Sequence, residues 1–268
     1  MSNLSFDELD IILTQKNGKI IHQIWFGTIP NKISSMYKFH ILQPFRESWI
    51  EQNPNFYYTL WDKNMCRLFL KKYYNEYIDT FNNYEYEIQR CDFIRYFILY
   101  HYGGIYSDVD YYCCKSFEDI FKGYEDKDIY FVELPTGRHV GNSLIISKPK
   151  IQFWKKVFID IINTNNEPWC FTTNLKVAYS TGNRFINRMY NKYENSNNIG
   201  KLPYIYFYPN DITDVKSLKQ DPKLMSYHLE NESWAENDVF NIIYRESSII
   251  LIIIILLILP IVIRVCHN

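Results

Sequence analysis

Two spacings of apolar positions alternate along this 268-residue chain. The β-branched and aromatic run Lys19–Phe26 (KIIHQIWF), closed by Gly27 and Pro30, predicts a first strand. Helical spacing over Ile33–Gln52 ends before Asn53-Pro54. Phe56–Trp61 (FYYTLW) then predicts a second strand, with Asp62 capping the helix behind it. The clearest helical period lies in Tyr84–Tyr102, where Ile88, Cys91, Ile94, Ile98 and Tyr102 recur at intervals of three and four. Gly103-Gly104 stops that helix, as a C-cap does. Ile105–Val109, Ile129–Glu133, Ser143–Ser147 and Tyr204–Tyr208 read as further strands, Phe153–Asn163 as a helix and Asn191–Asn198 as a polar loop. Strands alternating with helices predict an α/β fold around a mixed, mostly parallel sheet flanked by helices. Ligands of such sheets sit beyond the carboxyl ends of the strands.

The C-terminus departs from this pattern. Ile249–Ile263 (IILIIIILLILPIVI) holds no charge and a single Pro260, which approaches the roughly 20 apolar residues that span a bilayer. The expectation is a transmembrane helix over residues 248–265, a single-pass C-terminal anchor. Residues 1–16 carry three acids and lack a basic segment followed by an apolar one, so no signal peptide is expected there. The organisation read from the sequence is therefore an N-terminal extension over 1–18, one α/β domain over 19–240 and the anchor.

Composition narrows the classes. The formal net charge is -1 with both signs interspersed, so no electrostatic footprint for nucleic acid is present. None of the six cysteines forms a Cys-x-x-Cys pair, and Cys113 and Cys114 are adjacent. Neither a zinc site nor a disulfide framework is expected.

Candidate chemistry sits just after the Gly-Gly turn, at Ser107-Asp108-Val109-Asp110. The two carboxylates stand with one residue between them at the end of the short strand Ile105–Val109. A strand broken at Asp108 lets both carboxylates converge on one site. Hard oxygen ligands of this kind suit Mg²⁺ or Mn²⁺, which also takes substrate phosphates. Asp92 and Arg95, three apart in the preceding helix, share a face.

The whole block Cys91-Asp92-x-x-Arg95-Tyr96-x-x-Leu99-x-x-x-Gly103-Gly104-x-Tyr106-x-Asp108-x-Asp110 resembles the signature of glycosyltransferase family 32, the DXD-containing sugar transferases. That group includes initiating α-mannosyltransferases and the mannosyltransferases acting on inositol phosphoceramide. Further segments resemble the family: Lys19–Pro30, Asn53–Trp61, Gly141-Asn142-Ser143, Ser180-Thr181-Gly182, and Tyr227-His228 with Ser233-Trp234. Asn183 stands where the family usually has Pro. The likeness covers residues 19–235.

What the resemblance implies is a GT-A, nucleotide-sugar-binding (Rossmann-like) catalytic domain that transfers a hexose, with mannose favoured, and retains anomeric configuration. The donor expected is GDP-mannose, with a UDP-sugar possible, and the cofactor Mn²⁺ or Mg²⁺. The expected acceptor is a glycan or an inositol-phosphate sphingolipid at a Golgi/ER-type endomembrane. By the same likeness Asp110, Asp108, His228 and Ser233 are metal-shell candidates. Asp92, Arg95, Asp108 and Asp110 are the catalytic candidates. Trp25, Tyr106, Asn142, Ser233 and Trp234 join Asp92, Arg95 and Asp108 as donor-binding candidates. Trp25 reads as a base-stacking residue or a core Trp, and His22 equally as a core or a site residue. Glu133, Asp211 and Glu230 are open as general base. A catalytically inactive, membrane-anchored nucleotide-sugar or glycan binding protein is the alternative, and a metal-dependent phosphohydrolase a third reading.

Overall fold

The computed structural model describes residues 4–27, 33–118, 126–135, 137, 139–164, 173–196, 198–209 and 222–228. The chain divides into two compact units, residues 1–166 with 177–230, and residues 167–176 with 231–268. Of the second unit only residues 173–176, the start of a helix, are described.

The first unit is built on a six-stranded sheet. Its strands are β1 (Ile20–Ile24), β2 (Tyr57–Trp61), β3 (Gly104–Ser107), β5 (Ile129–Glu133), β6 (Val140–Ser147) and β7 (Ile199–Leu202), in the order β2-β1-β3-β6-β5-β7. The β2-β1-β3 half is parallel. β6 runs antiparallel to both β3 and β5, and β7 returns parallel to β5. The sheet is thus mixed, as expected. β4 (Tyr111–Cys113) and β8 (Ser226–His228) form a separate antiparallel pair. The described helices are α1 (Phe6–Gln15), α2 (Ile33–Gln52), α3 (Lys63–Tyr73), α4 (Ile78–Asn83), α5 (Glu87–Tyr102), α6 (Gln152–Asn163), α7 (Thr173–Ser180) and α8 (Asn183–Tyr193).

β1 explains why the sheet is buried on both sides. Ile20 and Ile24 join the large core with Trp61, Phe69 and the α5 residues, whereas Ile21 joins a second core with Trp49, Ile105 and Leu144. The period of two sends alternate side chains to opposite cores. Between helices, the Phe97 and Phe158 rings stack at 3.8 Å. α5 is buried along almost its whole length, so its polar residues have to find partners inside the protein.

Several boundaries match their sequence signals. Asp62 caps α3 by accepting from the Met65 amide at 2.8 Å. Gly103, at φ 67°, closes α5, its N–H donating to the Leu99 carbonyl at 2.9 Å. Tyr204–Tyr208, expected as a strand, instead forms a 3-10 turn over Tyr204–Tyr206. Pro203 removes the amide that would continue the β7 ladder, and Ile205 faces solvent at 47% exposure. The N-terminal extension contains α1, opened by a Ser5–Glu8 capping box and pinned where Asp10 accepts from Tyr73 and Tyr102.

The membrane-spanning expectation is corrected. Among the described residues no helix is long and apolar enough to cross a membrane. The longest, α2, carries Lys38, Arg46, Glu47 and Glu51, and residues 248–265 lie outside the described residues.

Two outcomes test this packing. Gly104 has φ +98°, and a Cβ there would lie 2.5 Å from the Ile20 carbonyl oxygen. Gly104→Ala is expected to cost about 3 kcal/mol or more in urea unfolding, since both strain and overpacking act. Gly137→Ala, with φ +69° but open space, should lose only about 1 kcal/mol. The second concerns pH. Burial holds His22 down to about 4, while the unfolded chain protonates it near the ordinary value of about 6.5. Its stabilisation is therefore complete above pH 6.5 and lost as the pH falls toward 4, on the order of 3 kcal/mol. Urea unfolding across that window should fall less steeply in His22→Gln than in the native chain; equal slopes would mean that the buried imidazole is not held neutral.

Candidate active site

β3 ends at Ser107, and the chain reverses at once. The Asp108 amide still donates to the Ser143 carbonyl of β6 at 2.8 Å, and the Tyr111 amide donates back to the Asp108 carbonyl at 3.2 Å. Asp108–Tyr111 is therefore a tight turn, and the two acids are freed from the spacing of a flat strand. β4 follows at once and pairs with β8, which brings Tyr111 opposite His228. The Tyr111 and His228 rings stack at 4.3 Å with 8° between planes. His228 Nε2 lies 3.2 Å from Asp110 Oδ1.

Asp108, Asp110 and His228 each offer a ligand atom, and these atoms all lie within 4.8 Å of one another. Two carboxylates and one imidazole, partly exposed, fit a divalent cation of the Mn²⁺ or Mg²⁺ kind that keeps open positions for water or phosphate. β4 and the segment after it are fastened by the C-terminal part of α2 and by Asn53 just beyond it. Trp49 Nε1 donates to the Tyr111 carbonyl at 2.9 Å, Ser48 Oγ accepts from the Cys113 amide at 2.9 Å, and Asn53 Oδ1 accepts from the Phe117 amide at 2.7 Å.

Behind the turn lies a buried Asp92–Arg95 ion pair, to which the partly exposed Asp108 is joined. Arg95 is 1% exposed and Asp92 4%. The Arg95 guanidinium reaches Asp92 Oδ1 at 2.7 Å and Asp108 Oδ1 at 3.1 Å, and donates to the Asn142 carbonyl at 2.7 Å. It also lies 4.3 Å from the Tyr106 ring centroid, and the Tyr106 hydroxyl donates to Asp108 Oδ1 at 2.6 Å. Asp92 accepts from Asn142 Nδ2 at 2.9 Å and from Thr181 Oγ1 at 3.1 Å. Tyr96 closes the network by donating to the Thr181 carbonyl at 2.7 Å. Burial raises the Asp92 carboxyl to about 6 against the pull of Arg95. It likewise pushes Asp108 up, with Arg95 opposing and Asp110 reinforcing the rise.

The other sequence candidates fall as follows. Asn142 belongs to the Asp92 network. Tyr106 is 1% exposed between Arg95 and Asp108. Trp25 follows β1, its amide donating to the Trp61 carbonyl at 2.9 Å. Its indole lies against Gly27, where a Cβ would fall 2.7 Å from ring atoms, and its buried Nε1 has no hydrogen-bond partner among the described residues. His22 is a core residue, 0% exposed, accepting from Trp61 Nε1 at 3.1 Å. Glu133 pairs with Lys201 at 3.3 Å. Ser233, Trp234, Asp211 and Glu230 lie outside the described residues.

Sequence reasoning missed Tyr111, Ser143 and Gln23. The Tyr111 hydroxyl and Ser143 Oγ lie 3.0 Å apart, and Gln23 Nε2 donates to the Asp108 carbonyl at 3.1 Å. Gln23 and Ser143 stand inside the family-like segments Lys19–Pro30 and Gly141-Asn142-Ser143, and polar residues in a strand buried on both faces need internal partners.

Residues 42–126 match the family described as "Glycosyltransferase sugar-binding region containing DXD motif". That span includes all of Cys91–Asp110, and the likeness to DXD-containing sugar transferases read from that block stands. Among curated proteins the chain is 35% identical over 153 residues to "Mannosyl phosphorylinositol ceramide synthase CSH1" of Saccharomyces cerevisiae, covering 57% of this chain and 39% of that one. It is 27% identical over 221 residues to "Inositol phosphoceramide mannosyltransferase 2" of Schizosaccharomyces pombe, covering 82% and 59%. It is also 28% identical over 208 residues to "Uncharacterized glycosyltransferase L373" of Acanthamoeba polyphaga mimivirus, covering 74% and 75%. The chain thus spans less than two thirds of the length of the two yeast relatives.

The charge network predicts unequal losses in chemical denaturation. Thr181→Val keeps shape and removes one donor to Asp92, at a cost of about 1–2 kcal/mol. Arg95→Met leaves the buried Asp92 carboxylate and the partly exposed Asp108 without their cation and costs about 3–5 kcal/mol. Small, equal losses from both would contradict a charge-centred core.

Proposed function

We propose that this protein is a glycosyltransferase that moves a hexose, mannose by preference, from a nucleotide-sugar donor to an inositol-phosphate sphingolipid or glycan acceptor. The observation that carries the reading is the turn after β3, which brings Asp108, Asp110 and His228 together in front of the buried Asp92–Arg95 pair. The names of the yeast relatives favour mannose and inositol phosphoceramide. Retention of anomeric configuration and an endomembrane setting belong to the same proposal.

Asp108, Asp110 and His228 would hold the divalent cation, which when bound supplies positive charge to the diphosphate leaving group. The chain's own residues set the geometry around it. Asp108 is shared: its Oδ1 is tied inward to Arg95 and Tyr106, and the turn sets Asp110 beside it. Tyr111 lies flat on the His228 ring and fixes the plane in which its nitrogens point. Arg95, paired on two sides, opposes the rise that burial imposes on Asp108 and so favours its charged form, fixed in direction toward the cation. Such preorganised charge needs no rearrangement during reaction.

The test is hydrolysis of a panel of GDP- and UDP-sugars by the full chain with Mn²⁺, with Mg²⁺ and with EDTA. One donor is expected to be cleaved with metal only, and Asp110→Asn should reduce that rate by roughly 10²–10³-fold, the scale of losing one preorganised electrostatic contact. Metal-independent cleavage, or an Asp110→Asn variant as active as the native chain, would overturn the reading.

A further inference from the structure

His22 and Gln23 are adjacent in β1, and both are 0% exposed. Strand alternation sends them to opposite faces of the sheet. His22 accepts from Trp61 Nε1 on its Nδ1, so its Nε2 carries the proton and donates to the Gly103 carbonyl at 3.0 Å. Gln23 Nε2 donates to the Asp108 carbonyl at 3.1 Å. β3, Gly104–Ser107, lies between those two carbonyls. Consecutive side chains of one strand therefore grip the neighbouring strand at its two ends.

The Gln23 amide has only one workable orientation. Its Oε1 accepts from the Tyr58 hydroxyl at 2.6 Å; a flipped amide would set oxygen against the Asp108 carbonyl. The Asp108 carbonyl also accepts from the Tyr111 amide at 3.2 Å and from Ser107 Oγ at 3.0 Å. Tyr111 belongs to the turn and moves with it, and Ser107, the last residue of β3, reaches only the carbonyl of the residue that follows it. Gln23 alone of the three reaches the Asp108 carbonyl from a neighbouring strand. The peptide plane that it holds joins Asp108 to Val109, and the orientation of that plane decides where Asp110 is carried relative to Asp108.

We infer that Gln23 is a positioning residue for the Asp108–Asp110 turn, acting through the Asp108 carbonyl, with Tyr58 orienting it. This rests on the reading above that Asp108 and Asp110 hold a divalent cation. Because the carbonyl keeps two other donors, loss of Gln23 loosens the turn without leaving an orphaned buried acceptor. The expected deficit is therefore in metal affinity rather than in folding or in turnover at saturating metal.

The experiment titrates the full chain with Mn²⁺ and follows the free-ion signal by electron paramagnetic resonance, alongside thermal unfolding. Gln23→Leu is expected to weaken Mn²⁺ binding five- to tenfold, with the Mn²⁺ requirement for donor hydrolysis raised equally and kcat at saturating Mn²⁺ within twofold. Tyr58→Phe should weaken binding two- to threefold and lower the melting temperature by a few degrees at most, since Gln23 Oε1 loses its donor. The double variant should be no worse than Gln23→Leu alone, because Tyr58 acts through Gln23. Native-like binding by both single variants, or additive losses in the double, overturns the inference. If Gln23→Leu does not fold, Tyr58→Phe decides alone, and unchanged Mn²⁺ binding counts against it. Native chain that binds no Mn²⁺, or Asp110→Asn that binds it as tightly as the native chain, instead removes the metal site on which the inference rests.

Discussion

A guanidinium held 1% exposed between two carboxylates sets the terms for the rest of this structure. Taking the Arg95 and Asp92 charges out of water costs far more than their mutual attraction returns unless the remaining lone pairs and protons are also met. Arg95 obtains the Asn142 carbonyl, Asp92 obtains Asn142 and Thr181, and Asp108 obtains Tyr106. Each partner comes from a different element, namely β6, the α7–α8 junction and β3. Satisfying one buried ion therefore fixes the relative placement of α5, two strands and a helix junction.

That demand is also why the fold was readable where it was. The α5–β3 segment carries an apolar period, a Gly-Gly stop and charged residues at helical spacing, all local signals, and the structure reproduces α5, its cap and the break at Asp108. Asp92 and Arg95 could be placed on one face from spacing alone. Their deep burial could not, because it depends on Asn142 and Thr181, which arrive from later in the chain. The pairing of β4 with β8 was likewise unreadable: both are three-residue strands, too short to show a period. Tyr204–Tyr208 holds residues that favour strands, but the preceding Pro203 decides the backbone. α1 was passed over although Ser5 and Glu8 form the capping signature that marks a helix start.

Aromatic abundance has a structural use here. Tyr58, Tyr96, Tyr102, Tyr106 and Tyr111 all donate hydroxyl hydrogen bonds or face another hydroxyl inside the protein. A tyrosine fills apolar volume with its ring and still supplies a donor at its tip, which suits a core that has to accommodate several carboxylates and backbone carbonyls.

His228 joins Asp110 across more than a hundred residues of sequence, carried by one short strand pair. The two halves of the cluster are thus held by different parts of the fold: Asp108 is tied to α5 through Arg95, while the imidazole is placed by the β4–β8 pair. Loss of that short pairing would leave two neighbouring carboxylates repelling each other with no imidazole beside them.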